Sequence, residues 1–254
     1  MVAEQYRDPS RLSARQAIWA YRDPPLDFTS WSLGLIPLDG SEVVADVGCG
    51  EGQYLRELAR RGHRGHLIGI DISAGMLAGV PAHASRLVAD AQAIPLASGV
   101  ADLTLAMHVL YHVPDKRTAA GELRRVTKAG GRLVVALPGG QNLCELHDLV
   151  DRCADRCGLA VTAHDPGLTL DEAAGLFARV FGTVEQADAP GQLRLTDAGP
   201  LVGYVASLAR VQRAAANPGQ LAVLLAAVRE EADSTLAALG CLALTATAGC
   251  VICR

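Results

Sequence analysis

The chain has 254 residues, of which 50% are hydrophobic and 20% are charged, and its formal net charge is -4. A chain of this length and composition can bury a full hydrophobic core, whereas its acidic balance creates no broad positive field for a nucleic-acid backbone. The longest uncharged apolar run, LAVLLAAV at 221–228, is too short to span a bilayer, so neither nucleic acid nor a membrane is an expected partner.

The first residues and the cysteines indicate the compartment. The stretch MVAEQYRDPSRLSARQ mixes charges throughout and lacks the apolar centre of a signal peptide. The seven cysteines show no disulfide-like spacing. Cys250 and Cys253 form a CxxC pair, but residues three apart in a strand face opposite sides, which disfavours a shared metal. We therefore expect a cytoplasmic protein with reduced thiols and no metal, as a monomer or a homodimer.

Strand and helix patterns alternate from residue 43 onward. The stretch VVADVGCGEGQYLREL at 43–58 runs from an apolar strand through a glycine-rich turn into a helix. Four further apolar runs are typical of strands buried on both faces: HLIGID at 66–71, RLVAD at 86–90, LTLAM at 103–107 and RLVVAL at 132–137. Ser73 and Asp115 are expected to cap the helices between them. Such alternation predicts a doubly wound α/β fold with a mostly parallel sheet.

The second half of the chain begins with helices. An apolar stripe from Leu143 to Cys157 predicts one helix, and the spacing of Thr169 and Glu172 predicts a capping box that starts another. TVEQAD and the tail CLALTATAGCVICR are predicted as strands, with a mainly helical stretch at 197–239 between them.

These patterns define the expected organisation. We predict a single domain at 1–254, with an N-terminal helical cap at 1–40, a ligand-binding core at 41–137 and the remaining sheet at 138–254. If the tail pairs beside TVEQAD in a seven-stranded sheet, the stretch at 197–239 is an insertion before the last strand and would form a helical lid.

The glycine-rich turn predicts a binding site. In an open parallel sheet, ligands bind at the carboxyl ends of the strands, and the first strand-to-helix turn lies there. Gly48, Gly50 and Gly52 occupy that turn, where the absence of a Cβ atom lets the backbone approach a ligand. Asp71 ends the next strand, where an acid can bind both hydroxyls of a ribose, and Asp90 ends the third strand.

The charges of the turn argue against a pyrophosphate ligand. Glu51 lies inside the turn, Asp46 lies just before it, and Gln53 occupies the position of the third glycine of a dinucleotide motif. A helix N-terminus that binds phosphate is normally free of negative charge. The turn therefore favours a ligand that carries a positive charge.

Residues 43–137 resemble the class I S-adenosylmethionine-dependent methyltransferases. VVADVGCGEG is similar to the first motif of that family, IGIDIS to its ribose motif, VADAQAIPLASGVAD to its adenine motif, and ELRRVTKAGGRLVVALPG to its fifth-strand motif. The resemblance implies a Rossmann-like fold and S-adenosylmethionine as the cofactor. It places the methionine part at Asp46 and the glycine turn, the ribose at Asp71, an adenine face at Ile72, and the adenine amino edge at Asp90 and Ala91. The whole expected cofactor-binding set is Asp46, Gly48, Cys49, Gly50, Asp71, Ile72, Met76, Asp90, Ala91, Met107 and His108.

The segment MHVLYHVPD after the fourth strand is the expected reaction centre. A base is needed only when the accepting atom carries a proton, and histidine titrates near neutral pH. We predict His108 and His112 as the catalytic residues, although each could instead pack on the cofactor or bind a loop. Acceptor contacts are predicted for Arg15, Tyr21, Tyr111 and Glu145.

Three functions remain open at this point. We expect methyl transfer to the O, N or C atom of a small molecule, in secondary metabolism. The core also resembles, more distantly, the ribosomal RNA guanine-N1 methyltransferases, so methylation of an rRNA or tRNA base is the alternative. A module that binds the cofactor without transferring the methyl group is the third possibility, because pocket and chemistry are separate properties.

Overall fold

The computed structural model describes residue 15 and residues 17–215 and 217–254. Part of the predicted N-terminal cap, residues 1–14 and 16, lies outside the described residues. The remainder of that cap contains a short 3-10 helix at Ile18–Tyr21, a two-residue strand and one α-helix.

The described strands, in chain order, are β1 (Arg22–Asp23), β2 (Val44–Val47), β3 (Leu67–Asp71), β4 (Ser85–Val88), β5 (Ala101–Met107), β6 (Thr127–Pro138), β7 (Val184–Ala189), β8 (Gln192–Leu195), β9 (Leu242–Thr245) and β10 (Ala248–Cys253).

The described α-helices, in chain order, are α1 (Phe28–Gly34), α2 (Gln53–Arg60), α3 (Ala74–Leu77), α4 (Lys116–Val126), α5 (Cys144–Arg156), α6 (Leu170–Phe177), α7 (Gly199–Ser207), α8 (Ala209–Ala214) and α9 (Pro218–Leu239). A second 3-10 helix spans Leu110–His112. Within the described part of the chain, none of the helices is both long enough and apolar enough to cross a membrane.

Seven strands form the main sheet in the order β4-β3-β2-β5-β6-β10-β7. The strands β2 to β6 pair in parallel, whereas β10 pairs antiparallel with both β6 and β7. The strand order reverses next to β2, so the glycine-rich turn lies at the point where open α/β sheets bind ligands. The predicted doubly wound, seven-stranded sheet is therefore confirmed.

Both faces of the main sheet are buried. On one face α4 and α6 pack against the side chains of Leu133, Val135 and Val251, and on the other α1 and α2 pack against Leu105 and Val134. Successive residues of β6 thus point to opposite faces, as the two-residue period of a strand requires. This double burial explains why these segments are continuously apolar.

The predicted helix starts are also confirmed. The Ser73 side chain accepts a hydrogen bond from Met76 N at 3.4 Å, and Asp115 accepts from Arg117 N and Thr118 N at 3.0 and 3.1 Å. Thr169 N donates to the Glu172 carboxylate at 3.0 Å in the predicted capping box.

One strand prediction was wrong in its burial. The run RLVAD was expected to be buried on both faces, but β4 is a largely exposed edge strand with Val88 61% exposed. Among the described strands β4 pairs with β3 alone, so its other edge has no neighbouring strand.

The tail was also predicted as one strand, and it forms two. β10 enters the main sheet, but β9 pairs with β8, which in turn pairs with β1, in a separate three-stranded antiparallel sheet. This small sheet packs with α5, α7 and α9 in a second hydrophobic cluster. Trp19, Arg22 and Tyr204 come from the segments around this cluster, and their side chains line the same cleft as the glycine turn. The cluster therefore lies over the carboxyl ends of the main-sheet strands.

Two glycines test the packing around β10. An added Cβ at Gly249 would lie 2.5 Å from Ala187 O and from Leu170 Cδ2, so we expect Gly249→Ala to destabilise the protein by about 1–3 kcal/mol. Gly121, in the exposed face of α4, has nothing within 4 Å of an added Cβ, so we expect Gly121→Ala to stabilise by about 0.5–1 kcal/mol. Urea denaturation of both variants measures the two shifts, and shifts of the same sign would contradict this packing.

Candidate active site

The ends of four neighbouring strands bring the predicted cofactor residues together. Asp71 is the last residue of β3, Asp90 follows β4, the glycine turn follows β2, and His108 follows β5. Because these strands are parallel, their carboxyl ends meet at one edge of the sheet.

The glycine turn has a backbone that requires glycine. Gly48, Gly50 and Gly52 have φ angles of 72°, 54° and 80°, in the left-handed region that side chains disfavour. A Cβ at Gly48 would also overlap the Val109 side chain. The turn is tied to the next strand by Gly48 N, which donates to Ile70 O at 2.7 Å.

Asp46 lies beneath this turn, and its side chain has no hydrogen-bond partner among the described residues. Its side chain is 1% exposed, and both carboxylate oxygens are buried and unpaired. Burial, with a smaller contribution from the charge of Asp71, raises the pKa of Asp46 to about 8. A buried carboxylate of this kind is unfavourable unless a donor or a cation satisfies it, so the floor of the turn is suited to a positively charged ligand.

Asp71 and Asp90 are held in place by backbone donors. Asp71 accepts from Gly50 N at 2.9 Å and from Ser73 N at 2.8 Å, one bond to each carboxylate oxygen. Asp90 accepts from Gln92 N at 2.9 Å and, on both carboxylate oxygens, from the Gln92 side-chain Nε2 at 3.0 Å. These bonds orient each carboxylate and leave lone pairs for a ligand.

Two adjoining cavities contain most of the predicted residues. A cavity of about 160 Å³ is lined by predicted residues from all four strand ends: Gly48, Gly50, Asp71, Ile72, Met76, Asp90, Ala91, His108 and His112. A larger cleft of about 1150 Å³ shares Gly48, Gly50, Met76, His108 and His112 with it and adds Arg15, Asp46, Cys49, Met107 and Tyr111. The shared residues place the two cavities against each other at the glycine turn.

The two histidines lie at this junction. The His108 ring contacts Phe28, with 5.1 Å between ring centroids, and its φ of 56° is unusual for a residue with a side chain. The His112 ring meets Tyr111 edge-on at 4.3 Å. The junction is therefore walled by aromatic rings.

The prediction that these histidines titrate near neutral pH was wrong. Burial lowers the pKa of His108 to about 4. Burial, with a smaller contribution from Arg15, lowers the pKa of His112 to about 4. Both imidazoles are consequently neutral between pH 6 and 9.

Two predicted acceptor residues lie elsewhere. Tyr21 packs against the second hydrophobic cluster, and Glu145 binds Thr245, whose N and Oγ1 donate to its carboxylate at 2.8 and 2.5 Å. Neither lines the cavity or the cleft.

Other side chains enter the cleft without having been predicted. The far end from the glycine turn contains Arg22, His147, His164, Arg210 and Arg213. They come from β1, α5, the loop before α6, and α8, so no local pattern in the sequence could have linked them.

Burial disfavours the thiolate form of three cysteines. Burial raises the pKa of Cys49 well above its ordinary value and that of Cys250 and Cys253 to about 12. Cys250 and Cys253 pack into clusters on opposite faces of the main sheet, as their spacing predicted.

Comparison with known proteins connects this site to a family. A family model described as a methyltransferase domain matches residues 45–135. A trans-aconitate 2-methyltransferase of Methylobacterium radiotolerans is 31% identical over 185 residues, which cover 68% of this chain and 70% of the relative. A demethylmenaquinone methyltransferase of Corynebacterium glutamicum is 35% identical over 102 residues, 40% of this chain and 44% of the relative. For several other curated relatives, too, the chain spans less than half of the relative's length.

A solved structure from Anabaena variabilis has the same fold. It is described as a methyltransferase of an antibiotic biosynthesis pathway, and it matches with a TM-score of 0.63 at 16% identity. The match covers 89% of this chain and 96% of that one. The likeness therefore includes the helical segments outside the sheet.

The raised pKa of Asp46 makes stability depend on pH. Its folded pKa of about 8 exceeds the ordinary value of 3.8, so between these values the folded state holds a proton that the unfolded chain has released. Stability of the ligand-free protein is then lost as pH rises, by at most about 1.4 kcal/mol per pH unit up to the folded pKa. We expect Asp46→Asn to remove this loss, so that its melting temperature exceeds that of the wild type increasingly from pH 6 to pH 8.

Calorimetric melting of both proteins across this range is the measurement. Asp233→Asn, on the exposed face of α9, is the control and should follow the wild type. A constant difference between Asp46→Asn and the wild type would contradict a carboxyl that titrates near pH 8.

Proposed function

Because this chain belongs to the class I S-adenosylmethionine-dependent methyltransferases, we propose that it transfers the methyl group of S-adenosylmethionine to a small-molecule acceptor. The observation that carries the proposal is the buried, unpaired carboxylate of Asp46 beneath the glycine turn. When bound, the cofactor supplies a methyl group already activated by a sulfonium. The protein therefore needs only to orient the acceptor and exclude water.

The residues at the strand ends fit the parts of this cofactor. Asp46 would face the positively charged methionine part, and Asp71 would accept from both ribose hydroxyls. Ile72 lines the cavity with 49% of its surface exposed and would cover one face of the adenine. Asp90 and Ala91 would meet the adenine amino edge. Each assignment matches a donor or cation of the ligand with an acceptor or apolar surface of the cavity.

The neutral histidines have one proposed chemical role. An acceptor hydroxyl or ammonium loses a proton as its atom takes the methyl group, and the neutral ring of His108 or His112 can accept that proton. S-adenosylmethionine, when bound, would supply the methyl group and would leave as S-adenosylhomocysteine. His108 and His112 both line both cavities, so each ring is placed to serve in this role.

We also propose that the residues before β2 and the helices at 197–239 act as the cover of the site. Arg15 donates from Nε to Ser207 Oγ at 3.1 Å and from Nη2 to Ser207 O at 3.1 Å. These bonds join the two segments above the cleft. Trp19, Phe28 and Tyr204 line its wall, so the cover would exclude water from the reacting atoms.

A small molecule is the preferred acceptor over RNA. The net charge of -4 does not favour a phosphate backbone, and the relatives just described are named for trans-aconitate and demethylmenaquinone. The structural neighbour from an antibiotic pathway supports a place in secondary metabolism, and seven unpaired cysteines support a cytoplasmic location. The proposal covers an O, N or C acceptor atom.

Cofactor binding and turnover test the proposal together. In titration calorimetry we expect S-adenosylhomocysteine to bind and NAD to bind at least 100-fold more weakly, since the turn disfavours pyrophosphate. Asp71→Asn should weaken S-adenosylhomocysteine binding by about 1.5–3 kcal/mol for each charge-assisted bond lost, whereas Asp233→Asn should bind as the wild type does.

Release of S-adenosylhomocysteine from S-adenosylmethionine with a small-molecule panel then measures transfer. Tighter binding of NAD would overturn the cofactor, and binding without release on any acceptor would favour a non-catalytic module.

The lowered pKa values predict the pH profile. Because the pKa of both His108 and His112 is about 4, neither gains a proton between pH 6 and 9, and we expect turnover to show no histidine titration in that range. If an imidazole is the base, His112→Gln or His108→Gln should lose about 100-fold or more in turnover at saturation. His83→Gln, an exposed histidine away from the cleft, is the control. A wild-type midpoint between pH 6 and 9 that disappears in either variant would contradict the effect of burial.

A further inference from the structure

The end of the cleft far from the glycine turn carries a concentration of positive charge. Arg22, Arg210 and Arg213 line it, Arg15 lines the cleft between them and His112, and among the described lining residues outside the glycine turn and the strand before it Asp165 is the one acid. The other lining acids, Asp46 and Glu51, belong to the glycine turn and the strand before it. The cleft therefore has an acidic cofactor end and a basic far end.

Arg22 is a buried cation that no carboxylate balances among the described residues. It is 9% exposed, and its guanidinium donates to the carbonyl oxygens of Ala246 at 3.1 Å, Ala189 at 2.8 Å and Pro190 at 3.0 Å. Its Nε has no hydrogen-bond partner. An added Cβ at Gly191 would lie 2.8 Å from Nη2, so the loop leaves room for this guanidinium. A charge held in this way attracts an anion more strongly than one in water.

Arg210, another lining residue of the cleft, is held in a similar manner. It is 8% exposed and donates to Thr162 O at 3.0 Å and to His147 O at 3.3 Å, with Asp151 as its ion-pair partner. Its Nε is also buried without a partner. The guanidinium thus has donor capacity beyond its structural bonds.

The histidines beside Arg210 add neutral donors. Arg210 Nη2 lies 3.3 Å from His147 Nδ1, and since a guanidinium cannot accept, this nitrogen of His147 must be the acceptor and Nε2 must carry the proton. His147 stacks on His164 at 3.5 Å between centroids. Burial, then the neighbouring His164 and Arg210, lowers the pKa of His147 to about 3, so His147 adds no charge at neutral pH, and burial also lowers the pKa of His164.

The basic end is continuous with the reaction centre. Arg15 is close enough to His112 for its charge to lower the pKa of that histidine, and His112 lines the cofactor cavity as well. A molecule that reaches from the cofactor into the cleft would place its far end among the arginines.

From this arrangement we infer that the methyl acceptor is an acidic small molecule whose carboxylate group binds among Arg15, Arg22, Arg210 and Arg213. The inference rests on the proposed function, because it names the chemistry of that acceptor. Guanidinium groups match a carboxylate with paired, charge-assisted hydrogen bonds. Both oxygens of an ionised carboxylate accept hydrogen bonds, which suits the N–H donors of these arginines.

The experiment uses the full chain saturated with S-adenosylhomocysteine, whose binding is first established by calorimetry. Aliphatic mono-, di- and tricarboxylic acids and aromatic carboxylic acids, each paired with its primary amide, are screened by thermal shift. We expect at least one acid to raise the melting temperature while its amide does not. Its affinity should fall about three- to tenfold in Arg213→Gln and about tenfold in Arg15→Gln, since charge-assisted bonds are lost.

The variants are chosen so that folding does not obscure the result. Arg213 is exposed on α8 and has no partner among the described residues, so its replacement should leave the fold unchanged. Arg229→Gln on exposed α9 is the matched control and should bind the acid as the wild type does. Acids and amides that behave alike, including a panel in which neither binds, would overturn the inference, as would an acid that binds Arg213→Gln and Arg15→Gln with wild-type affinity. Failure to bind S-adenosylhomocysteine would instead overturn the proposed function.

Discussion

An unpaired carboxylate in the interior of the sheet is the constraint around which the site is arranged. Asp46 lies in β2, between β3 and β5, and the glycine turn closes over its end. Three residues of that turn have positive φ angles, which only glycine adopts at little cost. A sequence chosen for stability alone would place an apolar residue at position 46. A residue that breaks a local rule in this way is typical of a functional site, and a cationic ligand is the partner that would satisfy it.

Most of the main sheet could be predicted because its signals are local. β2, β3, β5 and β6 are apolar runs covered on both faces, and the caps at Ser73, Asp115 and Thr169 lie within three residues of the donors that they bind. The small sheet had no such signal. β1 has two residues, and β8 finds its partners β1 and β9 far along the chain in both directions. Pairing of short strands over such distances is decided by tertiary packing, which periodicity does not record.

The same division applies to the site. The end of the cleft at the glycine turn comes from strand ends and the turns that follow them, so the positions of Asp46, Asp71, Asp90 and His108 there could be predicted. The acceptor half is assembled from distant segments, and its members had no common pattern. Glu145 illustrates the difference, because a helix N-terminal acid near the sheet could face a substrate, yet its carboxylate caps the β9 backbone at Thr245. The histidine pKa was missed for a related reason, since burial and the charge of Arg15 arise only after folding.

The opposite charges of the two ends give the cleft a direction. A cationic ligand part beside Asp46 would stabilise the ionised form of that carboxyl, and the arginines would attract the anionic end of the proposed acceptor, so each reactant would disfavour the other's place. Between them lie two histidines that burial keeps neutral, so the junction adds no charge that would attract either ligand to the wrong end. Since transfer from a sulfonium depends mainly on alignment of donor and acceptor, an electrostatic gradient along the cleft would itself contribute to catalysis. The gradient would also explain why Arg22 and Arg210 are buried, although burial of a cation is unfavourable. The carboxylate of the proposed methyl acceptor would neutralise these charges, in addition to any carboxylate of the protein.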